Sequence, residues 1–240
     1  MAYMTWNQLG AQVAAAILMN RFQGRLFNPH YICLQEAGNP GWGGAIMKPL
    51  PLPAWAPPAS ELFALQGLFL RGKLYDGFYL YWVGKPGGNP RCSLAVLHLA
   101  TLGPHVPGGW WDGNKKHRPV LWTRPAGGWH AIGCVHAPSG GNPVYVRVAV
   151  EAMFASFPGA LGLTWRLVGD FNLHYPELVF FVQPGWPPPL NALPSNSSGG
   201  QTQRYGGDFD YSMGTLPNTA HCVSADSYMF GSDHLAVAFW

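Results

Sequence analysis

Short apolar or alternating runs, each closed by Gly, Pro, Asn or Asp, recur from one end of this chain to the other, and they constrain its fold more than any other feature. Thirty-one glycines and 23 prolines punctuate the 240 residues. Runs that short make strands rather than long helices. Nine are expected: Tyr3–Trp6, Tyr31–Leu34, Gly77–Val83, Ser93–Leu99, Pro119–Trp122, Trp129–Val135, Leu163–Val168, Phe209–Met213 and His234–Trp240. Helical spacing at i, i+3 and i+4 is clear in Leu9–Phe22 and in Val144–Phe157, the latter behind an Asn-Pro start. Glu61–Leu70, after Ser60 as a cap, is a weaker third helix. Mostly strands with a few covering helices predicts an α/β sandwich.

Composition narrows the function classes. Charged residues are only 10% of the chain, so disorder driven by charge is excluded, and the 48% apolar content suffices for one core in a single domain over 1–240. A net charge of +3 is mild, so a polyanion would need a local basic cluster. No run reaches the roughly 18 apolar residues of a membrane span. Val13–Met19 is far too short, and it lacks the positive lead of a secretory signal because the first charge is Arg21. The four cysteines, at 33, 92, 134 and 222, show no metal-binding spacing and read as buried thiols.

The chemistry lies at the strand ends. Tyr31-Ile-Cys-Leu runs into Gln35-Glu36, Ile132-Gly-Cys-Val into His136-Ala-Pro-Ser, Trp165-Arg-Leu-Val into Gly169-Asp170-Phe171-Asn172, and Ser232-Asp233-His234 precedes the last strand. Each residue alone is an ordinary turn residue. Together they select carboxylates, histidines and an amide from a chain with only 11 acids and 9 histidines. Strands ending on one rim would bring them to one site. That set suits phosphodiester hydrolysis. Glu36 supplies hard oxygen donors for Mg2+ or Mn2+, two histidines exchange protons with the attacking and leaving oxygens, and Asn7 and Asn172 address phosphate oxygens without adding charge.

The order of motifs, Thr5-Trp6-Asn7, Gln35-Glu36-Ala37-Gly38, His136-Ala-Pro-Ser, Gly169-Asp170-Phe171-Asn172, Asp208-Phe209-Asp210-Tyr211 and Ser232-Asp233-His234, resembles the endonuclease/exonuclease/phosphatase superfamily. Within it, the chain looks most like the catalytic B subunit of cytolethal distending toxins. The resemblance implies an α+β fold, a four-layered sandwich of two packed, mostly antiparallel sheets flanked by helices, as in deoxyribonuclease I. It implies that Glu36 and Asp233 hold the metal, Mg2+ with Mn2+ or Ca2+ as alternatives, and that His136 and His234 form the acid/base pair. Asp170, Asn172 and Asn7 would position phosphate and nucleophile. Asp210 would orient His234, with Asp208 as its rival, and Asp76 would support His136. Arg118, Lys115, Thr202 and Arg204 would contact substrate. The function so implied is nicking of double-stranded DNA by a monomeric catalytic unit with delivery or carrier subunits, a toxin effector secreted or injected and acting in the nucleus of the target cell. A phosphoinositide or other phosphomonoester phosphatase, and a binding module without catalysis, stay open as alternatives.

Overall fold

The computed structural model describes residues 1–8, 21–22, 25–26, 28–38, 44–70, 72–82, 93–114, 116–158, 162–182, 203, 209–215, 221–223 and 234–240. Fifteen strands and two α-helices are defined among them. The strands are β1 Tyr3–Asn7, β2 Arg21–Phe22, β3 Arg25–Leu26, β4 Tyr31–Gln35, β5 Ile46–Leu50, β6 Ser60–Leu70, β7 Lys73–Trp82, β8 Leu94–Leu99, β9 His105–Trp110, β10 Val120–Pro125, β11 His130–His136, β12 Thr164–Asp170, β13 Asp210–Gly214, β14 His221–Val223 and β15 Val237–Phe239. The helices are α1 Pro143–Ser156 and α2 Tyr175–Val182.

Two sheets carry the fold. One has eight strands in the order β14-β15-β1-β4-β8-β7-β6-β5, and the other has five in the order β13-β12-β11-β10-β9. Pairing is antiparallel except for β1 with β4 and β11 with β12, each parallel pair lying inside its sheet. Those four strands are buried almost throughout, which explains their continuous apolar runs. The core between the sheets holds Tyr31, Cys33, Val96, Leu121, Ile132, Cys134 and Val168. A second core packs the outer face of the smaller sheet, through Trp165, Leu167 and Met213, against Val146, Val150 and Met153 of α1 and Leu178 of α2. Cys33 and Cys134 are buried free thiols, as expected; Cys92 lies outside the described residues.

Local sequence explains the helix starts. Asn142 accepts a hydrogen bond on Oδ1 from the Tyr145 N–H at 3.0 Å, and Pro143 occupies the first turn, where a missing N–H costs nothing. Glu177 reaches back to accept from the His174 N–H at 3.2 Å, closing the first turn of α2.

Two expectations fail here. Glu61–Leu70 is strand β6, not a helix. The spacing of Leu62, Leu65 and Leu68 imitates a helical face, but the pairing of β6 with β7 shifts register between Leu65 and Leu68 at a bulge. Leu62 packs between the sheets and Leu65, three residues on, packs on the other face by ordinary alternation, while the bulge returns Leu68 and Leu70 to the Leu65 face. Gly67, at φ 72°, supplies the left-handed residue the bulge needs. The Leu9–Phe22 helix falls mostly outside the described residues, and its last two positions, Arg21 and Phe22, are strand β2. No described helix is long and apolar enough to cross a membrane.

Candidate active site

The two parallel pairs end at one rim. Asn7 is level with Gln35 at the ends of β1 and β4, and His136 is level with Asp170 at the ends of β11 and β12. Across the gap between the sheets, Asn7 donates from Nδ2 to Asp170 Oδ2 at 2.9 Å. The sandwich thus closes on a single polar cluster, in which Asn7, Glu36, His136, Asp170, Asp210 and His234 are all at most 4% exposed.

Turn chemistry aims the side chains. Glu36 leaves β4 at φ 47° and Asn172 follows β12 at φ 50°, two of the three described non-glycine residues in the left-handed region. Asp170 accepts on Oδ1 from the Asn172 N–H at 2.9 Å, and Asn172 donates from Nδ2 to Ala137 O at 2.8 Å, tying the loops after β11 and β12 together. Gly169 is required on steric grounds: at φ 154°, a Cβ there would lie 2.0 Å from Val135 O.

Two imidazoles converge on one oxygen. His136 Nε2 lies 3.5 Å and His234 Nε2 3.7 Å from Asp170 Oδ2, and His136 Nε2 is also 3.6 Å from Glu36 Oε1. His234 donates from Nδ1 to Asp210 Oδ2 at 2.9 Å, which fixes its tautomer and turns Nε2 inward. Its backbone carbonyl accepts from Trp6 Nε1 at 3.1 Å. Burial pushes the Asp170 carboxyl up to about 6; the Asp210 charge adds to the rise, and His234, the Asn7 amide and the Asn172 N–H oppose it.

The expected residues divide accordingly. Asn7, Glu36, His136, Asp170, Asn172, Asp210 and His234 come together. Arg118 precedes β10, whose register (Leu121 opposite Cys134) carries it toward the His136 end, and its carbonyl accepts from Tyr145 Oη at 2.8 Å. Lys115, Thr202, Arg204, Asp208 and Asp233 lie outside the described residues, although Gln203 pairs with His234 in an isolated bridge. Asp76 is misplaced. It is opposite His98, which is opposite Tyr31 at the start of β4, so it sits at the far end of the large sheet from Glu36 and accepts from the Gly67 N–H instead. Strand alternation gave no sign of which end of β7 faces the rim. Trp6, read only as part of a motif, proves to anchor His234; its indole N–H needs a partner once buried, which was the available signal.

Whether these residues suit a divalent cation depends on the donors. Mg2+ prefers oxygen, keeps several waters and needs only one or two carboxylates from the protein. Glu36 supplies a buried carboxylate beside amide donors, which fits. Among the described residues, no group of three or more His, Cys, Asp or Glu side chains is arranged to hold a metal ion by itself.

Neither a protein-family model nor a curated protein matches the chain. Solved structures do. The cytolethal distending toxin of Actinobacillus actinomycetemcomitans aligns over 99% of this chain and 97% of its own, with a TM-score of 0.74 at 21% identity. The Haemophilus ducreyi toxin aligns over 99% and 96%, with a TM-score of 0.69 at 20% identity. The endonuclease domain of the telomere-specific retrotransposon TRAS1 aligns over 99% and 96%, with a TM-score of 0.56 at 11% identity. The chain has the deoxyribonuclease I-like fold. In deoxyribonuclease I-like terms, the two packed sheets are the observed eight- and five-stranded layers, and the polar cluster occupies the rim where both parallel pairs end.

Proposed function

We propose that this rim hydrolyses phosphodiesters, and that the protein nicks double-stranded DNA with little sequence preference as the active part of a delivered toxin. The observation that carries the reading is the pair of histidine Nε2 atoms facing one buried carboxylate oxygen, with Glu36 beside them. A phosphate seated among them would meet a proton carrier on either side. His234, its Nδ1–H committed to Asp210, presents an Nε2 lone pair that can take the proton of an attacking water. His136, its Nε2 between Glu36 and Asp170, presents an N–H to the leaving oxygen. Asn7 and Asn172 hold Asp170 in place, and their side-chain amides would also address phosphate oxygens. Glu36, with Asp233, would hold Mg2+, which supplies neutralisation of charge developing on the phosphate. Arg118 adds a cation for the backbone.

The likeness in fold to cytolethal distending toxin structures is consistent with a toxin setting and with carrier subunits; action in the nucleus of a target cell completes the proposal. The test is direct. With Mg2+, the purified protein is expected to convert supercoiled plasmid to open circles, and His136→Ala or His234→Ala to stop this without unfolding. Release of phosphate from inositol lipids with no nicking would replace this reading with the phosphatase one.

A further inference from the structure

Beside Asn172 the surface sinks into a cleft of about 420 Å3, bounded by Gly140, Gly141, His174, Glu177 and Phe209. Its size suits a small ring-bearing ligand, since such sites run from about 300 to 1,000 Å3. The glycine pair, at φ 92° and 69°, leaves one wall without side chains. The rings of His174 and Phe209 meet with centroids 4.8 Å apart and planes at 53°, forming an aromatic wedge. Glu177 is the one formally charged residue lining the cleft, and among the described residues no lysine or arginine does so. Phe209 immediately precedes Asp210, and Asn172 belongs to the rim, so the cleft adjoins the place of reaction.

We propose that this cleft receives the base of a nucleotide next to the scissile phosphate; the proposal rests on the hydrolase reading above and narrows its substrate to nucleic acid. A phosphate in the cleft would face Glu177, with no lysine or arginine among the described lining residues to compensate it, which disfavours the phosphorylated ring of an inositol lipid. A base brings no charge, its faces stack on aromatic rings whatever its identity, and the amino groups of adenine, cytosine and guanine can donate to a carboxylate. A base held there has left the stack. Single strands, in which that costs least, therefore isolate the base contact from the cost of opening a duplex.

The experiment compares a single-stranded oligonucleotide with a strand of equal length built from abasic sugars, in Mg2+. The wild-type protein is expected to favour the base-bearing strand by about 5- to 150-fold in kcat/KM, the range that stacking of one base spans. Phe209→Ala, and to a lesser extent His174→Ala, should bring the ratio of kcat/KM on the two strands toward one, chiefly by lowering it on the base-bearing strand, while Phe209→Trp should keep the preference. Equal wild-type rates on the two strands, or a Phe209→Ala variant that slows both alike with an unchanged melting temperature, would overturn the cleft assignment alone. Cleavage of neither strand by a preparation that nicks supercoiled plasmid would overturn this inference alone, whereas cleavage of neither strand together with intact plasmid would remove the hydrolase reading as well.

Discussion

Acidification should destabilise this protein through histidines far from the rim. His98, on β8, and His130, at the start of β11, are buried, and burial pushes each down to about 4. His105 lowers His98 further while Asp76 and the Gly103 backbone raise it; Arg166 and the amino terminus lower His130 further. An unfolded histidine titrates near 6.5, so between about pH 6.5 and 4 the unfolded chain binds more protons, and stability falls as pH falls. At pH 5 each of the two costs about 2 kcal/mol relative to neutral pH. Asp170 works in the opposite sense. Its carboxyl, raised to about 6, takes up a proton first in the folded state and returns about 1 kcal/mol at pH 5. The net loss is about 3 kcal/mol, which lowers Tm by about 6–12 °C in a domain of this size. His30 and His105, also lowered by burial, add to it. Calorimetry from pH 7 to 5 measures the slope. In a His98→Gln, His130→Gln double variant the drop should shrink to the part left by His30 and His105, which Asp170 offsets. A Tm that moves by less than about 2 °C in the wild-type protein over that range would mean that His98 and His130 are not held neutral by burial.

Asp210→Asn preserves the shape of the His234 pair but permits the wrong tautomer, so plasmid nicking should fall by about 100- to 10,000-fold with little change in Tm. Gly169→Ala drives a Cβ to 2.0 Å from Val135 O and should cost more than about 4 kcal/mol, read as loss of soluble protein or a collapsed Tm. Gly67→Ala, at φ 72° with nothing within 4 Å of the added Cβ, should cost only about 1 kcal/mol by chemical denaturation. Chelation of divalent ions should abolish nicking, and added Mg2+ should restore it.

Much of the site was legible because its residues sit at strand ends, where an ionisable group breaks an apolar run. Gln35-Glu36, His136 and Asp170 announce themselves that way, and the two parallel pairs then bring them level. β6 was not legible. Leu62 and Leu65 serve opposite faces, a bulge then puts Leu68 on the Leu65 face, and the three-residue spacing that results in sequence is the signature of a helix. Asp76 failed for a related reason: a one-dimensional pattern gives the face of a strand but not the end, and β7 runs so that Asp76 lies by the start of β4. β5 and β9 escaped notice because Pro49 and Pro107 interrupt them, which edge strands tolerate, and both lie at the edge of a sheet. The His174–Phe209 wedge joins residues 35 positions apart, a closeness that only the fold creates.

In the proposed mechanism one cation and one phosphate share the space between Glu36 and the two histidines. A crystal structure with Mg2+ and a dinucleotide carrying a non-hydrolysable linkage tests this most directly. A Glu36 oxygen should lie about 2.1 Å from the ion, with a phosphate oxygen within hydrogen-bonding reach of both His136 Nε2 and His234 Nε2. An ion held elsewhere, or a phosphate bound away from both imidazoles, would contradict it.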